Sequence, residues 1–186
     1  MEKIILGIDP GTTILGYGLI KVSGKSLSLL TLGVVNLSKF DDHYLKLQKI
    51  YSRLNSIIKE FCPDEMALEA PFFGKNVQSM LKLGRAQGVA MAVGLNHEIP
   101  ISEYAPRKVK MSITGSGSAS KEQVATMISK LLKLEEMPDF LDATDALAVA
   151  LCHHYESLNP LAGNGKTGNS WKRFIEKNPE RVRGGG

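Results

Sequence analysis

Two short apolar runs, each ending on a carboxylate, constrain this chain more than anything else in it: KIILGID over residues 3–9, closed by Pro10-Gly11, and EMALE over residues 65–69, closed by Pro71. Runs this short and this apolar read as strands covered on both faces, which asks for a sheet with helices on either side. Residues 13–22 and 27–37 are β-rich and separated by Ser23-Gly24-Lys25, so a meander follows the first strand. Over residues 42–62, Leu45, Leu47, Ile50, Leu54, Ile57, Ile58 and Phe61 recur at helical spacing until Pro63 stops them. Residues 75–97 predict a long helix, 99–104 a strand, and 120–134 and 140–155 two further helices. Ser120 and Gln123 have the spacing of a capping box, and Asp139 fits an N-cap. The order βββαβαβαα gives an α/β fold, a mixed sheet with helices on its faces and no internal repeat.

At 186 residues, with 43% hydrophobic and 23% charged side chains, the chain has the makeup of one globular domain. Disorder, collagen and disulfide scaffolds are excluded. Cys62 and Cys152 both fall inside apolar helical patterns, as expected of free thiols in a reducing, cytoplasmic setting. The N-terminal apolar run is too short for a signal peptide, and no run of 18 apolar residues occurs. After Tyr155, a stretch with Asn159, Pro160, Gly163 and Gly165 reads as a linker. The domain is thus expected over residues 1–156 and a basic, mobile tail over 157–186, with Trp171, Phe174 and Ile175 able to dock a short helix. Net charge is +4, and the tail's six basic and two acidic residues supply all of it. The body is neutral but segregated, since residues 75–133 hold nine basic residues against three acidic ones. That segregation points to a polyanionic partner better than the overall charge does.

If the two short strands are parallel neighbours, Asp9 and Glu69 emerge at the same edge, where open α/β sheets bind ligands. Asp142 and Asp145 are three residues apart on a predicted helix and share a face that runs on into Val149 and Cys152. Taken singly, each has a plain structural reading. Asp9-Pro-Gly can be a strand-ending turn, and acids in a first helical turn are favoured by the helix dipole. Together, four carboxylates from three elements cannot share a partly buried pocket as anions unless cations join them. With no histidine or cysteine cluster nearby, the ligand set favours Mg²⁺ or Mn²⁺. Two such ions are the usual arrangement for in-line displacement at phosphorus, so the inferred chemistry is phosphodiester hydrolysis.

With these acids in place the sequence resembles the RuvC family of Holliday junction resolvases over residues 3–156. The resemblance is carried by GIDPGTTILGYGLI, ALEAPFFGKN, LKLGRAQGVA, EYAPRKVKMSITGSGSASKEQV and DATDALAVALCHH, in family order. It implies an RNase H-like fold, a mixed five-stranded sheet with the second strand antiparallel and helices on both faces. It also implies a homodimeric, Mg²⁺-dependent endonuclease that nicks two strands of like polarity across a four-way DNA junction, leaving 5′-phosphate and 3′-hydroxyl ends. Carried over by motif, Asp9, Glu69, Asp142 and Asp145 are the metal-binding catalytic acids. Phe72, with Phe73 beside it, matches a base-stacking aromatic, and Lys110 and Lys121 match lysines near the scissile phosphate. Lys75 and Arg107 join them as DNA-binding candidates, and Lys82, Arg85 and Lys108 add charge. Cooperation with the RuvA and RuvB branch-migration proteins is implied by the resemblance alone.

Three further expectations follow. Gly84, Gly88 and Ala92 recur every four residues and are expected to pack on the sheet, leaving the helix's other face for the dimer contact. His153 and His154 read as helix-end residues rather than ligands. The Gly-rich turn at 114–119 lacks the Lys-Ser or Lys-Thr of a P-loop. GIDPGTT also resembles a phosphate turn of the sugar kinase, actin and Hsp70 ATPases, but those need about twice this length and a second such turn, and they give Asp142 and Asp145 no task.

Overall fold

The computed structural model describes residues 2–71, 76–134 and 141–158. Strands β1 (Glu2–Asp9), β2 (Ile14–Ser23) and β3 (Ser26–Asn36) form the meander, turning at Gly24 with φ 62°. Helix α1 (His43–Phe61), strand β4 (Glu65–Glu69), helix α2 (Val77–Asn96) and strand β5 (Ile101–Tyr104) follow, then helices α3 (Pro106–Thr114), α4 (Lys121–Leu132) and α5 (Leu141–Leu158). The five-stranded sheet has the order β3-β2-β1-β4-β5. Only β2 runs against the rest: it pairs antiparallel with β1 and β3, while β1–β4 and β4–β5 are parallel. The α/β class, the mixed sheet and the antiparallel second strand are as expected.

One face of the sheet is covered by α1 and α2. Leu6, Ile8, Met66 and Leu68 point into a cluster with Ile50, Leu54, Ile57, Ala86, Ala90 and Val93, all essentially inaccessible. The other face is covered by α5, which lies on glycines. A Cβ added at Gly7 would stand 2.0 Å from the Ala146 carbonyl oxygen, and one at Gly18 2.6 Å from Leu147 Cδ2. Only residues without side chains allow a helix to come down onto strand backbone at these points.

Several sequence expectations change. Helix α3 was not anticipated: it spans only nine residues and buries just Val109 and Ile113, too few apolar positions to mark a period, although Pro106 opens it and Gly115 at φ 77° closes it. Cys62 is not within an apolar helical face but exposed, at the left-handed C-cap of α1, whereas Cys152 is buried as expected. The stripe Gly84, Gly88, Ala92 does not pack on the sheet. A Cβ added at Gly84 or Gly88 meets nothing within 4 Å, and Ala86, Gln87, Ala90, Val93 and Gly94 are the buried residues of α2. Two rows of small residues run along this helix, and helical spacing alone does not say which faces inward. His153 and His154 are buried within α5, which continues to Leu158. Chain contacts gather the described residues up to His154 into one compact unit. Phe72, Phe73, Lys75, Asp139 and Trp171 lie outside the described residues. Among the described residues no helix is long and apolar enough to cross a membrane.

Candidate active site

The parallel pairing of β1 with β4, with Ile8 opposite Leu68, sets Asp9 and Glu69 side by side at the carboxyl edge of the sheet. Asp9 also pairs with Gly16 on β2, and a Cβ at Gly16 would lie 2.0 Å from the carbonyl oxygen of Asp142. The bare backbone of Gly16 therefore seats the first turn of α5 directly beside Asp9. Carboxylate oxygens of Asp9, Asp142 and Asp145 lie within 4.8 Å of one another. Glu69 stands beside this trio and lines, with Asp9, Pro10, Ala70, Pro71, Leu83 and Gln87, an adjoining cleft of about 180 Å³.

The electrostatics are those of crowded anions. Burial first, then the charges of Glu69, Asp145 and Asp142, push the Asp9 carboxyl up to about 8 despite the opposing pull of Lys121. Burial and the charge of Asp145 push Glu69 up to about 7, with Lys121 and Lys110 opposing. Lys121, the first residue of α4, places its Nζ 2.5 Å from Asp145 Oδ2 and 3.4 Å from Asp142 Oδ1. Burial alone would lower its pKa, yet the hydrogen bond and charge of Asp145, then Asp142 and Asp9, raise it above the usual lysine value. The expected capping box is present: Ser120 accepts from the Gln123 backbone N–H, and the Ser120 N–H donates to the Gln123 side chain. That cap fixes the helix start from which Lys121 reaches the acids.

The trio fits a hard divalent cation, because its donors are carboxylate oxygens alone and burial, reinforced by the neighbouring carboxylates, raises the Asp9 carboxyl to about 8. Of the basic candidates, Arg107 and Lys110 are on α3. The Arg107 stem packs against Gly117, where a Cβ would meet its Cγ at 2.5 Å, tying α3 to the Gly-rich turn. Lys110 is half-buried and near enough to act on Glu69.

Sequence reasoning missed Gln87. It is buried at 6% exposure on the sheet side of α2, lines the cleft beside Asp9 and Glu69, and donates from Nε2 to Glu103 Oε1 at 2.5 Å. The available signal was a polar residue between Ala86 and Ala90 on the buried row.

Comparison with known proteins agrees with the geometry. The family model described as crossover junction endodeoxyribonuclease RuvC matches residues 5–153. The crossover junction endodeoxyribonuclease RuvC of Bacteroides fragilis is 60% identical over 184 residues, covering 98% of this chain and 97% of that protein. A solved structure of Thermus thermophilus RuvC superposes with a TM-score of 0.75 at 34% identity, over 83% of this chain and 95% of that one. Another, of T. thermophilus RuvC in complex with a Holliday junction substrate, gives the same TM-score at 31% identity, with the same coverage of both chains.

Proposed function

The chain belongs to the RuvC family of crossover junction endodeoxyribonucleases, and on that premise we propose the chemistry by which it resolves four-way DNA junctions in recombination and repair. Asp9, Asp142 and Asp145 would hold divalent cations, with Glu69 joining from β4. Two Mg²⁺ ions, or Mn²⁺ in their place, would supply a lowered pKa for an attacking water and charge compensation at the leaving 3′ oxygen. The chain's own part is to gather and orient. The capped start of α4 aims the Lys121 ammonium into the acid cluster, where it offsets charge on the phosphate, and Lys110 approaches from α3. Phe72 or Phe73, which follow β4 in the sequence, stacks on an unpaired base near the crossover, worth roughly 1–3 kcal/mol. Lys75 and Arg107 grip the phosphate backbone without reading sequence.

Symmetric nicking of two strands of like polarity needs two such sites, and the outward face of α2 is the surface we assign to the homodimer contact. Val77, Leu81 and Leu95 are 68%, 50% and 65% exposed there, along the same side as Gly84, Gly88 and Ala92. RuvA and RuvB are the partners that family membership suggests, acting in the cytoplasm.

The convergence of Asp9, Asp142 and Asp145 carries this reading. Its test is incubation with a labelled four-way junction, a linear duplex and ATP, each with and without Mg²⁺. Paired nicks confined to the junction with Mg²⁺ are expected; an intact junction alongside hydrolysed ATP overturns it. Asp145→Asn should reduce cleavage by more than the roughly 10–100-fold that loss of an outer metal-site partner costs, with junction binding in Ca²⁺ retained.

A further inference from the structure

The sheet face that bears the acids carries a second polar group at its opposite end. Side chains alternate along a strand, so Lys3 shares a face of β1 with Asp9, and Glu65 shares a face of β4 with Glu69. On α5, His153 lies three turns beyond Asp142 on the same side. These residues meet: His153 Nε2 is 2.6 Å from Glu65 Oε2, and Lys3 is ion-paired with that same oxygen. From β5, the Tyr104 hydroxyl is 2.7 Å from His153 Nδ1. Burial would raise the Glu65 carboxyl, but the bonds from Lys3 and His153 leave it below the usual range. An ionised carboxylate only accepts, so Nε2 carries a proton and donates to it, and in the neutral ring Nδ1 accepts from Tyr104.

Each element that bears a site acid thus contributes one member of this network, and Tyr104 sits in register with Glu69. The spacings match. Four residues from Glu65 to Glu69 span about 13 Å of strand, and eight from Asp145 to His153 span about 12 Å of helix. Between the two ends α5 rests on Gly7, against Ala146 and Ala150. Those glycine seats set how close the helix comes, and the hydrogen bonds of His153 are the polar contacts that tie its far end to the sheet.

We propose that His153 is a positioning residue: bonded to Glu65 and Tyr104, it fixes the axial register of α5 on the sheet and thereby the distance of Asp142 and Asp145 from Asp9 and Glu69. This rests on the reading of those acids as a cation site. The experiment is calorimetric titration of the metal-free protein with Mn²⁺, for wild type, His153→Leu, His153→Gln, Tyr104→Phe and Asp145→Asn. His153→Leu should weaken Mn²⁺ binding about tenfold, the lower end of the cost of an outer partner, and Tyr104→Phe should weaken it less. His153→Gln, whose amide still donates to Glu65, should stay near wild type. At saturating Mn²⁺, junction cleavage by His153→Leu should recover to within about twofold, a defect of binding rather than turnover. Unchanged Mn²⁺ affinity in both His153→Leu and Tyr104→Phe, with binding lost in Asp145→Asn, overturns the register role. Unchanged affinity in Asp145→Asn instead overturns the cation-site reading beneath it. Tyr104→Phe removes a single oxygen, so it decides the matter if His153→Leu does not fold.

Discussion

The two faces of the sheet are built to different separations. Under α1 and α2, side chains from both layers stand between strand and helix, with Leu6, Ile8, Met66 and Leu68 against Ile50, Leu54 and Val93. Under α5, Gly7, Gly16 and Gly18 let helix backbone and Leu147 come down onto the strands. The first arrangement buries apolar area, the main source of stability. The second leaves the strands bare at those three glycines, and so brings a helix-borne aspartate within reach of a strand-borne one. Aspartate has a single methylene, so across a side-chain layer Asp142 and Asp145 would fall short of Asp9. The thick face holds the fold together; the thin face assembles the chemistry.

Adding one methyl group to the thin face is the most direct way to break this division. Gly16→Ala places a Cβ only 2.0 Å from the Asp142 carbonyl oxygen, so the start of α5 must lift by about an ångström, a displacement that can cost an active site roughly 10²-fold. Cleavage should fall by about that factor even at raised Mg²⁺, and overpacking should cost about 1–3 kcal/mol in denaturant unfolding. Wild-type cleavage by this variant would show that α5 does not need so close a seat. On the thick face the effect should be the reverse. Leu54→Ala, at a fully buried position, should cost about 2–5 kcal/mol of stability. Its cleavage per folded molecule should stay within about twofold of wild type, because Leu54 packs against Leu6, Ile8, Met66 and Leu68, on the face of β1 and β4 turned away from α5. A tenfold loss of activity at full folding would couple the faces and end the distinction.

The thick face was largely legible in the sequence. Helical periodicity over α1 named Ile50, Leu54, Ile57 and Ile58, and all four are buried. The acids were legible too, because Asp9 and Glu69 end apolar strands and Asp142 and Asp145 share a helix face. The thin face was not. GIDPGTTILGYGLI contains the glycines, but a missing side chain says nothing about what approaches it until the helix is in place. The same limit misassigned α2, where Gly84 and Gly88 face outward and the sheet receives Ala86, Ala90 and Gly94. Pairing across long separations was equally hidden. His153 and Glu65 are 88 residues apart, and no local pattern announces that they meet. Gln87 was readable only as a polar interruption of a buried row.

The smallest predicted effect concerns what the thin face costs before cations arrive. Asp9 is held up at about 8 and Glu69 at about 7, both well above a carboxyl in the unfolded chain. An acid with a raised folded-state pKa binds its proton more tightly when folded. Its contribution therefore favours the folded protein fully below about pH 4 and is lost as pH climbs through 7 and 8. In EDTA the melting temperature should decline by several degrees between pH 5 and 8, at about 2–4 °C per kcal/mol for a chain of this size. Asp9→Asn should flatten that decline and melt higher than wild type at pH 8, while Leu54→Ala should lower the whole curve without changing its slope. Added Mg²⁺ should remove the decline, because cations and protons compete for the same oxygens and the cations win as pH rises. A pH-independent melting temperature in EDTA would mean that the acids are brought together without electrostatic cost, and α5 would then need no cation to rest where it does.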